Sequence, residues 1–239
     1  MSHPLGEAFF HDGLPRVWML NQLSVDARAE ADDIVSALEE LYGHLPHRRA
    51  FVERPDVGEA LAPELKRAGW LVEHDVFMVL RRERDLAAAP GLAREVEEEA
   101  VRAVEAQTIA AEPFGEPGIV QQMLAARGAF GRAGAGRYFA AALDGVDACH
   151  TTLYSDGVVA QVEDVGTLEA ARGHGLARAA CSAAIDAALA AGHEFVFIIA
   201  DDNDWPKDLY ARLGFDPVGR PWAFTRVGPE HPAHHPAGP

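Results

Sequence analysis

The sequence contains no apolar run approaching the roughly 18–20 residues of a membrane span. Its opening residues, MSHPLGEAFFHDG, lack the basic-then-apolar pattern of a secretion signal. Cysteine is scarce. Cys149 and Cys181 are far apart and form no CxxC, so neither a disulfide framework nor a zinc site is suggested. Positive charge is also short: 21 Lys and Arg face 37 Asp and Glu, for a formal net charge of −16. That balance argues against a nucleic-acid partner and mildly favours cationic or neutral substrates. The expected location is the cytoplasm, without a membrane partner.

What remains is an ordinary globular composition, 49% apolar and 24% charged over 239 residues, enough for one large core or two modest ones. After a loose first dozen residues, RVWMLNQLSV (16–25) reads as a strand. Residues 27–42 show helical spacing, with Ile34, Val35, Leu38, Leu41 and Tyr42 on one face. HRRAFVER (47–54) is a second strand, Asp56 can cap a short helix ending at Gly69, and WLVEHDVFMVLRR (70–82) is a third strand. RERDLAAAPGL (82–92) has the composition of a linker.

The second half begins with a short strand near 92–96, an acidic-headed helix (97–112) and a helix over about 118–130. GRAGAG (131–136) reads as a loop, and strands 137–143 and 147–154 are joined by the hairpin signal Asp144-Gly145. A strand over 158–167, the turn RGHGLA (172–177), an alanine-rich helix, the strand FVFIIA (195–200) and the helical NDWPKDLYARLGF (203–215) follow, and RPWAFTRV (220–227) closes as a strand. GPEHPAHHPAGP (228–239) is a disordered tail by composition, its His234-His235 pair able to bind metal only adventitiously. The expected organisation is an N-terminal lobe over 1–85, a second domain over 91–228 and a tail over 229–239.

One internal repeat is visible. Without gaps, residues 47–70 lie over 192–215, so that Gly69-Trp70 matches Gly214-Phe215 and Leu65 matches Tyr210. The first copy carries SVDARAEADD where the second has the glycine turn. A shared fold with a degenerate first site is the reading.

The turn carries the chemistry. Gly173 and Gly175 allow a tight bend that aims successive N–H groups at one point, and the helix starting near Gly175 adds unpaired donors and its positive dipole end. Such a start is a ready pyrophosphate site, and Arg172, His174 and Arg178 add positive character. A Walker loop would need a Lys-Ser/Thr that is absent, and the dinucleotide fingerprint would need Gly or Ala where Arg178 stands.

With Arg172-Gly173-His174-Gly175-Leu176-Ala177 in place, the chain resembles the GNAT superfamily of acyl-CoA-dependent N-acyltransferases, whose hallmark is Arg/Gln-x-x-Gly-x-Gly/Ala. A second hallmark, an Asn seven residues before a Tyr-x-x-Leu-Gly-Phe ending, matches Asn203 and Tyr210–Phe215. The resemblance covers roughly 92–227, and 16–82 more faintly. It implies an α/β fold with a mixed, strongly twisted sheet, and acetyl-CoA as co-substrate with no metal. Backbone groups of Val165, Gly166 and Thr167 would bond the pantetheine arm, with Asn203 on its other side. Arg172, Gly173, His174, Gly175, Leu176 and Ala177 would hold the pyrophosphate, and Tyr210 would sit near the sulfur. Pro206 departs from the small residue usual there, but proline suits a first helical turn, with Asp204 or Trp205 as cap.

Tyr210 can protonate a departing thiolate. For the base, Glu163 interrupts an apolar strand, and alternation puts it opposite Val162 and Asp164 but with Val165. A partly buried carboxylate there would have a raised pKa, suited to taking a proton from an ammonium, directly or through water; Asp164 is the second choice. Cys149 and His150 are adjacent on a strand, so their side chains diverge and form no nucleophilic dyad, and Cys181 falls on an apolar helix face. The expected function is acetyl transfer from acetyl-CoA to a primary amine of a small molecule, by direct attack in a ternary complex. A non-catalytic acyl-CoA sensor and a protein N-terminal or lysine acetyltransferase stay open, and homodimerisation is compatible with each.

Overall fold

The computed structural model describes residues 1–85 and 91–228. The expected tail with its His234-His235 pair, and 86–90 of the expected linker, lie outside the described residues. By its internal contacts the chain divides into two compact units. The first is Met1–Val76 with Asp201–Asp204 and the described part of Gly219–Pro239; the second is Phe77–Ala200 with Trp205–Val218.

The first unit opens with β1 (Ser2–His3), β2 (Gly6–Ala8) and β3 (Leu23–Val25), followed by α1 (Ala31–Tyr42), β4 (His47–Val52), α2 (Pro55–Arg67) and β5 (Leu71–Leu80), whose last residues enter the second unit. β1, β2 and β3 pair antiparallel in sequence, and β3 and β4 pair in parallel. Residues 2–8 of the expected loose first dozen are therefore a hairpin: Ala8 is buried and the ladder to β3 holds it. Nor is 16–25 one strand. Residues Trp18–Leu20 form a 3-10 turn, and only Leu23–Val25 is extended. The reason is Asn21, a buried amide whose Nδ2 donates to the Leu14 and Val17 carbonyls at 2.9 and 3.1 Å. Its Oδ1 accepts from the His11 N–H at 2.9 Å, so the turn satisfies the backbone that a strand would have paired. α2 starts on Arg54 with Pro55 in its first turn; Asp56 lies inside the helix and does not cap it.

Ile34, Leu38 and Tyr42 of α1 and Leu61 and Leu65 of α2 pack on Val25, Val52 and Phe224 to form this unit's core. Each such side chain stabilises the fold by ~1.5–3 kcal/mol. The Tyr42 hydroxyl donates to the Gln22 carbonyl at 2.6 Å, and burial pushes its pKa up to about 12.

The second unit follows as β6 (Ala93–Val96), α3 (Glu98–Ala110), α4 (Pro117–Ala133), β7 (Arg137–Leu143), β8 (Val146–Ser155), β9 (Val159–Thr167), α5 (Leu176–Ala190), β10 (Phe195–Asp201), α6 (Pro206–Arg212) and β11 (Phe215–Gly219). Its sheet is ordered β5-β10-β9-β8-β7-β6, with β11 beside β5. β6 to β9 are antiparallel, and β9 and β10 are parallel. This is the mixed α/β sheet that the sequence predicts. The β7–β8 turn has positive φ at both Asp144 (51°) and Gly145 (82°), the hairpin geometry an Asp-Gly pair favours. α4 runs three residues into the expected loop 131–136, because Gly131 packs against the Tyr138 hydroxyl where any Cβ would collide. β11 is not apparent from its sequence, FDPVG, whose Pro217 weakens a strand reading.

The last strand, β12 (Trp222–Val227), corrects the expected domain boundary. It lies in the first unit, antiparallel to both β4 and β5. The two ladders bury Ala223, Phe224 and Thr225 there.

Candidate active site

β9 is an interrupted strand. Against β8 its register slips by one residue: Thr152 lies opposite Glu163, but His150 lies opposite Gly166. Asp164 takes up the slip with φ 56°, in the left-handed region, which makes a β-bulge. On its other edge β9 pairs with β10 only from Val159–Phe195 to Val162–Ile198. Beyond that point β9 continues to Thr167 with no ladder to β10. Val165, Gly166 and Thr167 all fall on this open stretch.

The bulge corrects the simple alternation. Asp164 accepts from the Tyr154 hydroxyl at 2.6 Å, and Tyr154 pairs with Gln161, so Asp164 lies on the same side as Gln161 and Glu163. Arg127 of α4 holds the other Asp164 oxygen, Nε to Oδ1 at 2.7 Å. Behind this pair is a buried cluster. Glu105 of α3 is 2% exposed, with Oε1 3.9 Å from both Arg127 Nη1 and His150 Nδ1. The His150 Nε2 lies 3.2 Å from Thr108 Oγ1. Burial, and then Arg127, push the His150 pKa down to about 3, so this ring is neutral. Burial also raises the Glu105 carboxyl and the Tyr154 phenol. A Cβ on Gly166 would run into the His150 ring, so glycine is needed for β9 to cross it.

Sequence reasoning missed Glu105, Arg127, Tyr154 and this role of His150. One signal was available: Glu105 shares the buried face of α3 with Val101, Val104 and Ile109, and an acid on an apolar stripe is seldom there without a partner.

Glu163 is half-buried, and the Gln161 amide donates to its Oε2 at 2.5 Å. Burial, with the neighbouring Asp164 charge, pushes its pKa up to about 7, against the opposing pull of Gln161 and Arg127. A carboxyl poised there can accept a proton near neutrality.

The glycine turn follows β9. Arg172 closes a 3-10 turn, its N–H donating to the Glu169 carbonyl at 3.1 Å. Gly173 (φ 82°) and Gly175 (φ 76°) are both left-handed, and Gly175 is the N-cap of α5. The first bond of the helix is Ala179 N–H to Gly175 C=O at 3.0 Å. From Gly173 to Arg178 the backbone N–H groups donate to no acceptor among the described residues. α5 has no side-chain cap and no acid in its first turn. The Arg178 guanidinium folds back over Gly175, 3.2 Å from where a Cβ would stand, and its Nε is buried without a partner. Such an array of free donors and one cation suits an anion. β9 and β10 are parallel, so the turn after β9 and α6 after β10 rise from the same end of the sheet, where ligands of open α/β sheets bind.

Residues 103–215 match the model of the acetyltransferase (GNAT) family. This stretch is a GNAT-family domain. Acyl transfer is the chemistry that membership supports. Solved structures agree on the fold. A functionally unknown conserved protein from Staphylococcus epidermidis is 13% identical at a TM-score of 0.75, with 95% of this chain and 92% of that one covered. A GCN5-related N-acetyltransferase from Kribbella flavida is 20% identical at 0.56, covering 89% and 83%. A tandem GNAT protein from the clavulanic acid biosynthesis pathway is 20% identical at 0.55, covering 85% and 69%. No curated protein matches the sequence.

Within the GNAT domain Tyr210 lies on α6, 6% exposed. α6 starts as expected, with Trp205 as N-cap and Pro206 in the first turn. Asn203 belongs to the segment grouped with the first unit; it is exposed, and its N–H donates to Asp201 Oδ1 at 2.7 Å. Cys149 and His150 do diverge: Cys149 packs in the core beneath α5, while His150 reaches Thr108. Burial pushes the Cys149 thiol up to about 11 and raises Cys181 as well, so neither is an available nucleophile. Among the described residues no His, Cys, Asp or Glu group is placed to hold a metal, and no helix is long and apolar enough to cross a membrane.

Proposed function

We propose that this protein transfers an acetyl group from acetyl-CoA to a primary amine of a small molecule. The observation that carries the reading is the unfilled N-terminus of α5. Its free N–H groups sit at the end of the stretch where β9 has lost its ladder to β10. The turn Arg172–Ala177 then holds the pyrophosphate, and the backbone of Val165–Thr167 bonds the pantetheine arm as an added strand would. Asn203 is assigned to that arm by its spacing from Tyr210 alone.

Glu163 takes the proton from the acceptor ammonium. The freed amine nitrogen bonds to the thioester carbonyl carbon, the carbon–sulfur bond breaks, and Tyr210 gives its proton to the departing thiolate; the nitrogen loses its second proton to water as the amide forms, and water returns a proton to Tyr210. Direct attack is preferred because both cysteines are buried in the core. The bulge supports this assignment: Arg127 and Tyr154 hold Asp164, whose charge raises the pKa of Glu163.

The test is release of free CoA thiol from the full chain with acetyl-CoA and a panel of primary amines. Steady-state release that requires an amine is expected. Acetyl-CoA binding without turnover on any amine would leave a sensor and defeat the proposal.

A further inference from the structure

The side chains of Glu163 and Gln161 continue into an aromatic row. On the sheet face that carries His150 and Thr152, both are buried under the α3 side. Cover thins towards β10 and β5. Gln161, Glu163, Phe197 and Phe77 are half-exposed, and Phe195 is 45% exposed. The three rings are contiguous. Phe77 stacks on Phe197 at 6.3 Å between centroids, and Phe195 lies 6.2 Å from Phe197. Phe197 is the register partner of Gln161, whose amide is bonded to Glu163. An apolar floor therefore ends on the carboxyl given the role of base. That is the usual make-up of a small-molecule site, mostly apolar with a few placed polar groups.

We infer that this face binds the acceptor and selects primary amines with an aryl group on a short spacer. The inference rests on the proposed role of Glu163. Charge fixes the orientation: an ammonium belongs at Glu163, and the apolar body lies across Phe197 towards Phe77 and Phe195. Spacing fixes the length. Phe197 lies one strand across and two residues along from Glu163, about 8 Å at the backbone for strands ~4.8 Å apart rising ~3.3 Å per residue. A hydrogen bond plus a spacer of roughly two carbons spans that gap. Three contiguous rings, one pair stacked and one pair tilted by 45°, favour an aryl group over an alkyl chain, through offset-stacked and edge-to-face contacts.

The experiment compares 2-phenylethylamine with ethylamine on the full chain, by kcat/KM with acetyl-CoA and by calorimetric binding without it. The aryl amine is expected to lead by ~10–200-fold in kcat/KM, the range a hydrophobic pocket can discriminate, and to bind more tightly by a similar margin. Phe197→Ser should collapse the ratio to within about 3-fold; Phe195→Ser, at the exposed end, should reduce it and replaces Phe197→Ser if that variant fails to fold. Equal preference for the two amines, or a ratio unmoved by these variants, would overturn the inference. So would higher kcat/KM on a short peptide with N-terminal phenylalanine, which would point to a protein acceptor. If no amine is acetylated, the acyl-transfer reading fails on its own, and the binding ratio still decides this one.

Discussion

Two parallel strand–helix–strand segments, β3-α1-β4 and β9-α5-β10, differ most at the start of the helix. In the first, α1 fills its own N-terminus. Glu30 and Asp33 form a reciprocal capping box, the Glu30 N–H donating to Asp33 Oδ2 at 3.1 Å, and Asp32 adds a second acid to the first turn. The box takes up the N–H groups of Glu30 and Asp33, and the local charge repels an anion. In the second, α5 begins on a left-handed glycine with no side-chain cap and no acid. The strands differ in step. β3 is paired to β4 along its whole length, Leu23–Ala50 to Val25–Val52, whereas β9 outruns its ladder to β10.

The scaffold persists where the site does not. Gly69 and Gly214 both have positive φ (81° and 101°), Trp70 and Phe215 are both buried, and Leu65 occupies the buried place of Tyr210. The fold needs an apolar side chain at that helical position, and a phenol is an addition. Helix N-termini are common in proteins; a vacant one next to an unladdered strand is what separates the two segments.

The largest expected effect comes from exchanging that addition. Tyr210→Phe should lower the turnover rate by roughly 10–1,000-fold, the scale of losing a general acid. Acetyl-CoA affinity should move far less, because the proton is needed chiefly in the transition state. Full turnover, with chemistry shown to be rate-limiting, would make Tyr210 a core residue like Leu65.

The next effect is on pH dependence. With Glu163 as base and its pKa near 7, kcat/KM should rise with pH and level off above about 7. Asp164 raises that pKa and Arg127 lowers it, so Asp164→Asn should move the acid limb down and Arg127→Met should move it up. Shifts of the same sign would mean that the two act only by holding the bulge. Glu163→Gln should cost most at low pH and less as more of the acceptor is already deprotonated. Stability has its own sign. The folded Glu163 keeps its proton to about 7 while the unfolded one loses it near the ordinary 4.5, so this group's contribution falls across that window as pH rises and is constant above it. In Glu163→Gln that part of the pH dependence should vanish from a denaturant titration series.

How far the sequence anticipates these features depends on their range. The glycine turn is legible because its chemistry is local: Gly173 and Gly175 define the backbone whatever surrounds them. The hairpin at Asp144-Gly145 is legible for the same reason. The bulge at Asp164 is not, because VVAQVEDVGT alternates plausibly without it, and its partners, Arg127 and Tyr154, are set by helix packing and by the β8 register. β12 is assigned to the wrong unit from sequence because antiparallel pairing with β4 joins residues some 170 positions apart, as the contact between Arg49 and Thr225 shows. Nothing local in RPWAFTRV points there.

A smaller effect tests the first segment. Asp33→Ala removes one arm of its capping box and should cost ~0.3–1.5 kcal/mol in stability, read by urea denaturation, while acetyl-CoA affinity stays as it was. A loss of affinity without a loss of stability would tie α1 to the cofactor and contradict the contrast drawn between the two helices.

The contrast is tested most directly by calorimetric titration of the full chain with acetyl-CoA, beside Gly175→Glu. Glutamate would place bulk and negative charge over the free N–H groups of α5 and strain a left-handed position. One acetyl-CoA per chain and no measurable binding to the variant are predicted. Two molecules per chain, or binding to Gly175→Glu at unchanged affinity, would contradict the account.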